Sequence, residues 1–110
     1  MVYYVDIDNT ICYYPEGATK QHPGIDEPIP DYDKALPYLE RIGKINKLFN
    51  SNHIVVYWTA RGTVTGLDLY DKTLEQLQQW GCEFTELKLG KPYYDLFIDD
   101  RNINSETFFS

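Results

Sequence analysis

The chain is short of sulfur, of positive charge and of long apolar runs, and each shortage narrows its expected role. Cys12 and Cys82 are its only cysteines. They fit no metal-ligand spacing, and the opening MVYYVDIDNT carries no secretory leader, so both are expected to be reduced thiols. His22 and His53 are isolated in the same way. Lysine and arginine number 10 against 17 aspartates and glutamates, a formal net charge of -7. Such a surface repels phosphate backbones, so a nucleic acid is not the expected partner. A small anion stays compatible, because a bound divalent cation can dominate the local field. No apolar stretch approaches the ~20 residues that span a bilayer. The expectation is a cytoplasmic protein with no membrane partner, its 110 residues forming a single domain over 1–110.

What is present is a regular alternation of apolar segments. Residues 2–7 are rich in β-branched and aromatic side chains and read as a strand buried on both faces. Residues 9–31 contain Pro15, Gly17, Pro23, Gly24, Pro28 and Pro30, which exclude a long helix and mark a loop, with a small hairpin arm at 11–14. A helix is expected from Tyr32 or Asp33, with Pro37 in its first turn and Leu36, Leu39, Ile42, Ile45, Leu48 and Phe49 as its apolar stripe. Residues 54–59 form a second strand and 61–66 a loop. A second helix over 67–80 turns Leu67, Tyr70, Leu74, Leu77 and Trp80 inward, and Gly81 ends it. A third strand is expected at 83–87, a turn at Gly90-Lys91-Pro92 and a fourth strand at 94–98. The order specifies a three-layer α/β sandwich with a mainly parallel, Rossmann-like sheet. In such sheets ligands bind outside the carboxyl ends of the strands.

Three polar clusters fall at those ends: Asp6/Asp8, Thr59-Ala60-Arg61 and Asp99-Asp100. Two carboxylates at the end of a buried strand repel each other and lose hydration, so a hard cation held by oxygen ligands is the economical neutraliser. Bringing Asp6, Asp8, Asp99 and Asp100 together would make a magnesium site. The plainer alternative treats each pair as caps and solvated turn residues. A phosphoryl group in transfer needs donors for its equatorial oxygens and cationic compensation, which Thr59 (hydroxyl and backbone N–H) and Lys91 would supply. Alone, Thr59 reads as a strand residue and Lys91 as a surface lysine. Arg61 either meets a second anionic group of the substrate or pairs with a nearby carboxylate.

These residues together resemble the haloacid dehalogenase (HAD) superfamily of phosphohydrolases. Asp6-Ile7-Asp8-Asn9-Thr10 matches its first motif, Thr59 the second, Lys91 the third, with Lys88 a rival, and Asp99-Asp100 the fourth. Gly-Lys-Pro-Tyr-Tyr-Asp followed by Ile-Asp-Asp resembles small capless members from capsule or surface-polysaccharide biosynthesis. The resemblance implies Asp6 as nucleophile and Asp8 as acid/base, with Thr59 and Lys91 holding the phosphoryl oxygens. It implies Mg2+ held by Asp6, the Asp8 carbonyl and Asp99, with Asp100 assisting. Thr10 would orient the turn, and Asn9, Ala60 and Arg61 would join the substrate contacts. The intervals between motifs leave no room for a cap domain. An open site implies a large substrate or a neighbouring subunit that closes the entrance, and the aromatic pair Tyr13-Tyr14 with Pro15 is a candidate contact surface. The expected activity is Mg-dependent hydrolysis of a small phosphorylated metabolite, such as a sugar phosphate. The alternatives are a nucleotide or polynucleotide 3′-phosphatase and a non-catalytic module binding a phosphorylated ligand.

Overall fold

The computed structural model describes residues 1–110. From its amino end the chain forms β1 (Val2–Val5), β2 (Cys12–Tyr13), β3 (Thr19–His22) and β4 (Ile25–Pro30). A 3-10 turn at Tyr32–Lys34 leads to β5 (Leu36–Pro37), α1 (Leu39–Asn50) and β6 (Ile54–Trp58). The rest comprises α2 (Tyr70–Gln79), β7 (Glu86–Lys88) and α3 (Ser105–Phe108). The first and second strands read from the sequence and the parallel pairing between them are present.

The central sheet has the order β1-β6-β7, all parallel. Its register sets Val5 beside Tyr57 and Tyr57 beside Leu87, so Tyr3, Val5, Val55, Tyr57 and Leu87 share one face. Ile42 and Ile45 of α1 and Leu77 of α2 pack into the same core. Asn46 of α1 donates to Gly81 O (2.9 Å) and accepts from Glu83 N–H (2.8 Å), which ties α1 to the end of α2. Both long helices therefore cover one face. On the other, Val2 is 58%, Tyr4 54% and Ile54 46% exposed. The protomer is a two-layer α/β unit, where a sandwich of three layers was expected.

Local chemistry explains the other departures. The first helix begins at Leu39, later than expected, because Asp31 caps a separate 3-10 turn through Asp33 N–H (3.3 Å). Pro37 then keeps Leu36 extended, and this pair joins β2 in an antiparallel bridge. So 11–14 is no hairpin: Cys12 and Tyr13 pair with Pro37 and Leu36, far along the chain. The real hairpin is β3–β4, turned at Pro23-Gly24, where Gly24 has φ +82°. The second helix is shorter than read: Leu67 precedes it and is 48% exposed, Tyr70 is 40% exposed, and its buried positions are Leu77, as expected, and Thr73. Gly81 ends it with φ +76°, as expected.

The fourth strand is the largest difference. Residues 92–104 are exposed throughout and pair with no strand. The chain then forms α3, capped by Asn104 through Glu106 N–H (2.9 Å) and held to α1 by Arg41, which bonds both oxygens of Glu106 at 3.0 Å.

Gly62 controls the loop between β6 and α2. It has φ +84°, and a Cβ there would sit 2.2 Å from Leu67 O. Gly62→Ala combines left-handed strain with a backbone clash and is expected to cost about 3 kcal/mol. Thermal unfolding should show this as a fall in Tm of roughly 10 °C or more, whereas an unchanged Tm would mean the loop is not held at Leu67.

Candidate functional site

The carboxyl ends of β1 and β6 lie side by side, and the side chains that follow them meet at one rim. After β1 the chain reverses tightly: Thr10 and Ile11 N–H both reach Ile7 O (3.1 and 2.9 Å), and Asn9 takes φ 60°. That conformation suits Asn better than most side chains. The reversal leaves Asp6 and Asp8 pointing to different neighbours.

Asp6 has Lys91 Nζ 3.5 Å from its Oδ1, and its Oδ2 accepts from the Thr10 hydroxyl (3.2 Å). Burial pushes its carboxyl above the usual range, while Lys91 pulls the other way. Lys91 is fixed in turn: its N–H donates to Thr59 O (3.1 Å), and its carbonyl accepts from the Thr63 hydroxyl (2.8 Å). Its ammonium also lies over the rings of Trp58 and Tyr94, 5.8 and 5.4 Å from their centroids. The rival Lys88 projects to the Tyr4 hydroxyl (3.3 Å), on the uncovered face of the sheet. Lys91 is thus the lysine beside Asp6.

Asp8 is engaged elsewhere. Arg61 grips it with Nε 3.0 Å from Oδ2 and Nη2 2.8 Å from Oδ1, and the Tyr14 hydroxyl donates to the same Oδ1. The Arg61 side chain is 1% exposed. Its remaining nitrogen donates to Gln76 Oε1 (2.7 Å), and its guanidinium stacks on Tyr32 at 4.6 Å. Arg61 therefore does not face a substrate, and the carboxylate alternative is the one observed. Tyr14 is likewise turned inward. Tyr13 packs on Tyr38 with ring centroids 4.8 Å apart. With Arg41 and Lys44 it lines an open groove of about 470 Å³ that includes none of the expected phosphoryl contacts.

Thr59 is 1% exposed at the end of β6. Its backbone N–H is committed to Lys88 O (3.0 Å), so of the two donors expected there only the hydroxyl remains. That hydroxyl accepts from Arg61 N–H (3.1 Å). The N–H of Ala60 has no partner within the protein. Asn9 is exposed at the tip of the turn.

Asp99 and Asp100 do not come to this rim. Both are exposed, and Asp100 pairs only with Arg101 at 4.0 Å. No cluster of three or more histidine, cysteine or carboxylate groups suited to a cation forms. Magnesium takes about six oxygen ligands in near-octahedral geometry. Asp6 is the one carboxylate of the four placed at the rim and free of arginine, so a single chain does not fit that ion. Neither cysteine offers a nucleophile: burial raises both thiols to about 12, helped at Cys12 by Asp8. The Asp8–Arg61–Gln76–Tyr14 network, of which the sequence reading gave Asp8, Arg61 and Tyr14 separate roles and Gln76 none, is a largely buried polar cluster. Its signal was Gln76, a polar residue one position from the inward Leu77.

The fold matches that of a crystallised Vibrio cholerae protein, with a TM-score of 0.76 and 22% identity over 99% of this chain and 87% of that one. No protein-family model and no curated protein matches the chain. The likeness extends to the fold alone. No helix of the protein is long and apolar enough to cross a membrane.

Removing one member of a buried ion pair strands the other, typically at 3–5 kcal/mol. Asp8 keeps some solvent access, so Arg61→Met is expected to destabilise by about 3 kcal/mol. Arg61→Met with Asp8→Asn should recover at least half of that loss in urea unfolding. Equal losses in the single and double variants would show that the pair is not what holds the two loops together.

Proposed function

We propose that the chain is a phosphohydrolase acting on a small phosphate monoester, with Asp6 as its nucleophile. One observation carries the reading: Asp6 sits at the carboxyl end of a central-sheet strand with an ammonium on one oxygen and a hydroxyl on the other. Lys91 favours the ionised carboxylate against the upward push of burial and offers charge to an incoming phosphoryl group. The Thr59 hydroxyl and the unpartnered Ala60 N–H, at the adjacent strand end, supply neutral donors to its oxygens. In the reaction an Asp6 oxygen bonds to phosphorus while the bond to the leaving alcohol breaks, and the alkoxide takes up a proton. Water then attacks the phosphorus, releasing phosphate and restoring the carboxylate. Asp8 suits the proton carrier by its position in the motif, but it must first leave Arg61. The resemblance to the HAD superfamily supports this assignment, and a sugar phosphate fits its capless, polysaccharide-related members.

A second reading has its own support. The Arg61 clamp on Asp8 leaves a lysine, a threonine and a free amide at a rim with no free acid/base, which is what a phosphate-binding module needs. The net charge of -7 favours a small ligand over a polynucleotide end in either case.

Release of phosphate from a generic aryl phosphate, with magnesium supplied, separates the two. Asp6→Asn is expected to reduce it by at least ~10³-fold, as removal of a covalent nucleophile does. No release by the wild type, with phosphate still binding, would leave only the module. Asp6→Asn should also raise Tm at neutral pH. The native carboxyl lies above its unfolded value, so its ionisation opposes folding once pH exceeds the unfolded value. The gain should disappear as pH falls below the carboxylate range, where both states hold the proton. A lower Tm at neutral pH would mean that Lys91 outweighs burial.

A further inference from the structure

Three features of the protomer are incomplete, and they complement one another. The first is the outer edge of β1. This strand pairs only with β6, so its other edge presents free N–H and C=O groups. The second is the sheet face that no helix covers, with Val2, Tyr4 and Ile54 open to solvent. The third is segment 92–103, which makes no backbone–backbone hydrogen bond. Within it Leu96 is 75% and Ile98 89% exposed, although Tyr-Tyr-Asp-Leu-Phe-Ile has the composition of a strand. Unpaired backbone and bare aliphatic side chains in one stretch mark a missing partner.

We propose that residues 94–98 of one chain add as a fourth parallel strand to the free edge of β1 in a second copy, and that the two chains do so reciprocally. The register argues for it. Setting Asp99 beside Asp6 places Ile98 beside Val5 and Leu96 beside Tyr3, and in a parallel pair neighbours in register share a face. Leu96 and Ile98 then enter the helix-covered core, while Asp95 falls beside Val2 on the open face. Shifting by one residue would bury Asp95 and expose both aliphatic side chains.

The chain's own β1 is out of reach in that orientation. Lys91 is pinned at the carboxyl end of β6 by Thr59 and Thr63. Asp95 would have to lie level with Val2, about five residues down the sheet, a descent of ~16 Å before any lateral step across β1. Four fully extended residues span at most ~14 Å. An antiparallel return is shorter, but it carries Asp99 to the far end of the sheet from Asp6. The arm instead leaves from Lys91 and is retied at α3 by the Arg41–Glu106 pair, a closed excursion suited to a two-fold exchange. It also answers the incomplete carboxylate set: Asp99 and Asp100 of the partner subunit would arrive beside Asp6. That last consequence, and the preference for the parallel register over an antiparallel return, rest on the functional reading above; the free edge of β1 and the bare segment do not.

Light scattering on the eluted full-length protein tests the exchange without a substrate. The expected mass is twice the 12.9 kDa of one chain. Leu96→Asp with Ile98→Asp should yield a monomer with an unchanged far-UV spectrum, since neither side chain packs on its own protomer. A monomeric wild type, or a variant that stays dimeric, overturns the exchange. Val2→Cys with Asp95→Cys, opposed in the proposed register, should give a disulfide-linked dimer on mild oxidation in a non-reducing gel. Only an intrachain bridge, or none, would also overturn it. A wild type that is dimeric, and monomeric with the aspartates, but releases no phosphate sinks the Asp6 reading alone. A monomeric wild type that releases phosphate sinks the exchange alone.

Discussion

The pairing of Asp8 with Arg61 is the interaction on which the local architecture depends. One partner follows β1 and the other follows β6, so the ion pair clamps the loops that carry Asp6, Thr59 and Ala60. Gln76 extends the clamp to α2, then passes it on through its own amide to Tyr32 O at 2.7 Å. Tyr14 brings in the segment after β2. A guanidinium this deeply buried is tolerable because its edges meet a carboxylate and an amide and one face meets an aromatic ring. Remove that network and the turn after β1 loses the contact that separates Asp8 from Asp6. With it in place, the two aspartates of one short motif face different neighbours and perform different tasks.

The division matters for chemistry. Asp6 sees one compact cation, the Lys91 ammonium, at 3.5 Å from a single oxygen. Asp8 sees a rigid planar cation that engages both of its oxygens. A carboxylate in the first setting keeps an oxygen for a ligand, whereas one in the second is spent on structure until something displaces the arginine. The rim of a single chain is therefore rich in donors and poor in acids.

Much of this was visible in the residue order. The strand at 2–5, the strand at 54–58, and the glycine that ends α2 follow from β-branched runs and turn chemistry, which are local signals. Thr59 was placed by its position at a strand end and Lys91 by its turn at Gly90-Lys91-Pro92, and the structure brings Lys91 to Asp6. What escaped was non-local. Leu36 continues the apolar spacing of α1, yet Pro37 and the partner strand at Cys12 draw it into an extended pair. The hairpin at 19–30 was signalled by Pro23-Gly24 but masked by the prolines around it. Arg61 offered two readings because nothing in its own neighbourhood reveals that Asp8, Gln76 and Tyr32 converge on it. Residues 94–98 have a strand's composition, but composition does not state whose sheet will take them.

The pairing of Val2 with Ile54 has a consequence for how the protein is made. β1 is synthesised well before its neighbour β6, which lies about fifty residues later. Until Ile54–Trp58 has been added, the strand that leads to Asp6 has no sheet to join, and closing so long a loop is slow compared with forming α1. The helix is therefore expected to form first and wait, with its apolar stripe bare. The acidic surface then serves a kinetic end: mutual repulsion keeps nascent chains apart while β1 waits for its neighbour.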